Sequence, residues 1–144
     1  MFSKACEYAI RATIYIAMQS SQNLRVGLKD ISKEIDSPEP FTAKILQQLS
    51  KNNIIESIKG PHGGFQIDKN DMSKIKLSQI VLAIDGDSIY KGCGLGFKEC
   101  SEKQPCPVHD KFKIIRDELK DMLENTTVLE LSIKIKKGLT FLHR

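Results

Sequence analysis

The sequence predicts a mainly α-helical chain with one small β-wing, and three observations carry that expectation. Apolar-periodic stretches around 28–35 and 41–49 flank a Ser-Pro turn, two β-rich runs bracket a Gly-Pro loop at 59–64, and apolar residues from Val108 to Met122 recur at steps of four and three. Steps of three and four mark a helix with one buried face, whereas short β-branched and aromatic runs around Gly and Pro mark paired strands.

The elements follow in order. Phe2, Ala5, Ala9, Ala12 and Ile16 give a helix from Phe2 to about Met18. Leu28, Ile31 and Ile35 give a second, short one, which Ser37-Pro38 ends because proline disfavours helical geometry in the residue before it. Pro40 suits a first helical turn, and Phe41, Ile45, Leu46 and Leu49 mark a third helix ending near Asn52-Asn53. Helix, tight turn, helix is the helix-turn-helix pattern. Ile54, Ile55 and Ile58, then Phe65 and Ile67, read as two strands around the loop from Lys59 to Gly64, and strands in that place make a wing.

Residues 75–84 read as a fourth helix. Val108, Phe112, Ile115, Leu119 and Met122 form the a/d seam of a fifth, which either packs on its own domain or serves as a dimer arm. From Leu129 the apolar residues alternate as in a strand, yet Thr126-Thr127 offers a helix N-cap, so 128–137 stays open between the two.

At 144 residues, 40% hydrophobic and 28% charged, the chain suits one globular domain with an appendage. No apolar run approaches the roughly 20 residues of a membrane span. Glu7 and Arg11 interrupt the only stretch resembling a signal peptide, so a cytoplasmic protein without membrane contact is expected. The net charge of +4 is modest, and residues 25–62 hold six basic against five acidic residues. Any contact with double-stranded DNA must therefore come from placement of charge. A helix-turn-helix lays its second helix in the major groove, where Thr42, Lys44, Gln47 and Gln48 are expected to face outward toward base edges. Lys59 and the loop residues Gly60, Pro61, His62 and Gly63 offer a wing contact to phosphate or the minor groove.

Cys93, Cys100 and Cys106 lie within fourteen residues, with His109 three positions on, in a Gly- and Pro-rich segment. Thiolates select zinc, copper(I) or iron-sulfur clusters, and an imidazole can complete either kind of site. Without a secretory signal the thiols are expected to be reduced. Cys6 stands apart in the first helix. The loop thus reads as a metal-binding sensor, with structural zinc and metal-free redox-sensitive thiols as the alternatives. An enzyme is not expected: there is no CxxC pair, and nothing puts His62, His109 or His143 beside a nucleophile on a strand-to-helix elbow.

The run PFTAKILQQLSKNNIIESIKGPHGGF, followed by the cysteine triplet, resembles the IscR/NsrR/CymR (Rrf) family of bacterial winged-helix transcription regulators over essentially the whole chain. The resemblance implies a winged helix-turn-helix domain over 1–84, a cluster-binding cysteine loop over 85–107, and a long dimerisation helix with a C-terminal tail over 108–144. It implies a homodimer on a palindromic operator, usually as a repressor, with Lys59 as the basic wing residue and Thr42 through Gln48 on the base-reading helix. Cys93, Cys100 and Cys106 match the ligands of an iron-sulfur cluster that senses cluster supply, nitric oxide or redox state. [2Fe-2S] is the favoured form and [4Fe-4S] the alternative, because six residues separate Cys93 from Cys100 where many members have five. His109 fits the cis-histidine ligand and is the expected fourth donor. Glu7, reaching in from the partner subunit as in nitric-oxide sensors, is the alternative.

Overall fold

The computed structural model describes residues 1–143. Its elements run α1 (Lys4–Ser20), α2 (Leu28–Ile35), α3 (Glu39–Lys51), β1 (Glu56–Ile58), β2 (Gly64–Gln66), α4 (Leu77–Asp85), α5 (Ser88–Lys91), α6 (His109–Asn125) and α7 (Val128–Lys136). α1 starts later than its apolar pattern because the Ser3 hydroxyl caps it, accepting from the Cys6 N–H. Its inward face is built from small residues, Cys6, Ala9, Ala12 and Ala17 around Ile16, all fully buried. That lets α2, α3, α4 and α7 gather around it.

α2 closes on Asp36 in the left-handed region, a conformation aspartate tolerates, and Pro38 and Pro40 then open α3. The turn sets α2 against α3 across Ile31, Ile35, Ile45, Leu46 and Leu49, all at most 1% exposed. Arg11 of α1 donates to the Ile35 carbonyl at the end of α2. In the hairpin, Glu56 pairs with Gln66, Ser57 with Phe65 and Ile58 with Gly64. Val26 adds a bridge to Phe65, with N–H to carbonyl distances of 3.2 and 2.7 Å. The strands are shorter than the apolar runs predict. Ile54, Ile55 and Ile67 lie outside them, drawn into the core beneath the hairpin.

In the C-terminal third one expectation changes and one open segment resolves. The cysteine segment is not loop throughout, since α5 forms one turn held by an ion pair between Lys91 and Asp87 at 2.6 Å. Residues 128–136 are helical, the Thr127 hydroxyl accepting from the Glu130 N–H at 3.2 Å. Alternation lost to packing there: Val128 and Ser132, one turn apart, are the buried pair, and α7 lies along α1.

α6 faces two ways. His109, Arg116 and Leu123 are buried against the domain, while the a/d seam keeps Val108, Ile115 and Met122 at 38, 56 and 45% exposure. Leu123, fully buried, is the apolar anchor on the inner side. Leu123→Ala is expected to cost about 2–5 kcal/mol in urea unfolding followed by circular dichroism. A loss below 1 kcal/mol would show that α6 is not anchored there.

Candidate functional site

α3 turns Lys44, Gln47 and Gln48 outward, as its period predicts. Thr42 is a correction. It is fully buried, its hydroxyl 2.9 Å from both the Pro38 carbonyl and the Ser37 hydroxyl. Position 42 lies one turn before Ile45 and Leu46 on the inward face, so this side chain clamps the turn and does not reach a base. Two basic residues join the surface that sequence reasoning assigned to the others. Lys51 is exposed on the same face as Lys44 and Gln48, a position readable from the same three-and-four step. Arg25 is exposed before α2, its Nε donating to the Gln66 Oε1 at 2.9 Å and its guanidinium to the His62 carbonyl at 3.1 Å. Gln66 in turn donates to Glu56 at 3.0 Å. Arg25 thus braces the wing from 37 and 41 residues away, and no local pattern announces it.

The wing tip presents Lys59, Gly60, Pro61 and His62 to solvent. Gly60 has φ +105°, and the Gly63 N–H closes the turn on its carbonyl at 2.9 Å. A Cβ on Gly63 would fall 2.2 Å from the Ile58 carbonyl oxygen, so only glycine fits.

The four cysteines separate into one inert and three accessible thiols. Cys6 is fully buried in α1, and burial first, then Asp85, pushes its thiol up to about 12. Cys93, Cys100 and Cys106 are half-buried and free. The backbone N–H groups of Leu95 and Phe97 hold Cys93 below the ordinary thiol value against its desolvation, with the Cys106 side chain helping. The Leu95 N–H lies 3.4 Å from the Cys93 sulfur. Cys100 Sγ lies 3.3 Å from Nδ1 of His109, which is buried at the start of α6 with its backbone N–H on the Cys106 carbonyl.

Cys100 and His109 are in direct contact, and Cys106 lies near enough to Cys93 to help hold its thiol down. Among the described residues no three such donors converge to a metal-binding distance. In kind, however, they fit a thiophilic centre: N–H groups stabilise the thiolate, the form that ligates, and a buried imidazole nitrogen abuts a thiol. Glu7 lies elsewhere, exposed on α1 and paired with Lys4 at 3.4 Å.

The Rrf2 family, described as iron-dependent transcriptional regulators, matches residues 2–133. The chain belongs to the Rrf2 family. It is a transcriptional regulator with a winged helix-turn-helix fold and not an enzyme. A protein of Aquifex aeolicus named as an HTH-type transcriptional regulator is 33% identical over 91% of this chain and 90% of its own. The regulator IscR of Pectobacterium atrosepticum is 28% identical over 86% of this chain and 74% of its own. In fold the chain matches CymR, the global cysteine regulator of B. subtilis, with TM-score 0.74 and 20% identity over 92% of this chain and 95% of that one. It also matches T. potens IscR, with TM-score 0.75 and 16% identity over 98% and 92%. Among the described residues no helix of this Rrf2 regulator is long and apolar enough to cross a membrane.

Proposed function

We propose that this chain is a cytoplasmic, homodimeric operator-binding repressor whose DNA affinity depends on an iron-sulfur cluster held by Cys93, Cys100, Cys106 and His109. The observation that carries the reading is the Cys100–His109 pair at 3.3 Å, which sets the fourth donor beside one thiol of the triplet within one subunit. IscR relatives among the similar proteins support the same assignment. A bound cluster would supply a centre that reacts with oxidants and nitric oxide. The chain's own contribution is the coupling. His109 is both a donor and the first residue of α6, so the order of the loop and the placement of that helix are linked. The exposed α6 seam suits a second copy, and a shift in α6 would alter the spacing of two recognition helices that half-sites about 34 Å apart demand. Three cysteines and a histidine also suit tetrahedral zinc, which is colourless, so the visible spectrum separates the two readings.

At the DNA face, Gln47→Ala is expected to cost about 1–3 kcal/mol at one base pair and to relax sequence choice there. Lys59→Ala is expected to weaken binding to all sequences alike and to reduce the salt slope by about one. Operator selection from genomic fragments, followed by titration at several salt concentrations, measures both. A protein that stays monomeric at micromolar concentration, or prefers no fragment over random DNA, would refute the reading.

A further inference from the structure

Among the described residues Arg116 is a buried cation without a counter-charge. It is 8% exposed on the inner face of α6, two turns beyond His109, and makes no ion pair among the described residues. Its guanidinium donates to the Gly92 carbonyl at 2.5 Å and approaches that of Lys91 at 3.5 Å. It also lies 5.8 Å from the centre of the Phe112 ring. Its Nε is buried with no partner at all. Carbonyl dipoles and a ring face offset only part of the cost of burying a charge, which is ordinarily met by an anion.

The surroundings indicate where that anion belongs. Gly92 immediately precedes Cys93, and Cys93 shares with Arg116, Phe112, Ile89 and Leu119 the wall of a groove of about 360 Å³. A Cβ on Gly94 would come within 2.8 Å of the Phe112 ring, so the backbone on the other side of Cys93 lies flat on the residue one turn before Arg116. The cysteine loop is thereby pinned to α6 on both sides of its first thiol. Three thiolates and a neutral imidazole around a divalent ion or a cluster carry net negative charge.

We propose that Arg116 is the counter-charge and positioning residue of the cysteine centre, balancing the negative charge of the loaded loop and tying Cys93 to α6. This rests on reading the loop as a metal site. An arginine placed here neutralises the site when it is filled and is left exposed to its own desolvation cost when the site is empty, which favours the filled state.

The test uses the full-length protein with reduced thiols under anaerobic conditions and Zn²⁺ as the probe, in competition with a chromophoric chelator. Arg116→Met keeps the length and removes the charge, Arg116→Lys keeps the charge and removes the fork, and Arg116→Gln serves where the methionine variant does not fold. Zn²⁺ affinity is expected to fall about tenfold or more in the neutral variants and less in Arg116→Lys. The metal-free neutral variant is expected to melt at or above the wild-type temperature, because apolar atoms replace an unpaired buried charge. Equal affinity in all proteins overturns the proposal. So does a metal-free neutral variant that melts well below wild type while Arg116→Lys loses as much affinity, the mark of a structural prop. A weakened dimer with unchanged Zn²⁺ affinity overturns it too, assigning the charge to carboxylates across the interface. Wild type that takes Zn²⁺ but neither iron nor sulfide refutes the cluster and leaves the counter-charge standing, whereas wild type that binds none of them refutes both.

Discussion

Protein isolated or reconstituted without air is expected to be coloured, and Cys93→Ala, Cys100→Ala and Cys106→Ala are each expected to abolish the colour while Cys6→Ala keeps it. The three loop thiols are half-buried, and the thiolate of Cys93 already receives N–H groups from Leu95 and Phe97. Cys6 has none of this. Fully buried among the alanines of α1 and pushed up to about 12, its thiol stays protonated and out of reach of a metal. His109→Ala is expected to change the spectrum and shorten the life of the centre, whereas Glu7→Ala leaves both intact, because the histidine meets Cys100 within the subunit and Glu7 is paired with Lys4. Visible spectra with iron and sulfide determination check the set. Stoichiometric zinc with no iron in protein never exposed to air would replace the cluster with a structural site, and a spectrum lost in Glu7→Ala but kept in His109→Ala would reverse the fourth ligand.

Gly63→Ala is expected to reduce operator affinity at least tenfold, about 1.4 kcal/mol, with the helical content unchanged. The added Cβ would meet the carbonyl oxygens of Ile58 at 2.2 Å and Gly60 at 2.9 Å, both backbone atoms of the same hairpin. Relief requires opening the turn, which releases the Gly63 N–H from Gly60 and displaces Lys59 and His62. It also loosens the Arg25 bond to the His62 carbonyl. A stability cost of about 1–3 kcal/mol accompanies it, typical of strain forced on a constrained backbone. Circular dichroism with fluorescence anisotropy on a selected operator makes the comparison. Binding within twofold of wild type would show that the wing does not contribute to recognition.

Much of the fold is written in short stretches of sequence because its causes are local. The period of three and four, Ser37-Pro38 and Pro40 determine α2, the turn and α3, and the glycines around Pro61 determine the wing, each acting through residues a few positions away. Residue type alone likewise singled out Cys93, Cys100, Cys106 and His109. Thr42 shows where residue type misleads: the step of three and four from 42 to 45, 46 and 49 puts it on the inward face, and its hydroxyl is satisfied there by Ser37 and Pro38. Residues 128–136 fit two periods equally, and α1 decided for the helix by burying Val128 and Ser132 together. Arg25 and Arg116 carry no signature, because a guanidinium takes its role from carbonyls brought to it by folding, at His62 for one and Gly92 for the other. Backbone preference acts over one or two turns of chain and survives in the sequence. Burial and hydrogen bonding across dozens of residues exist only once the core has closed.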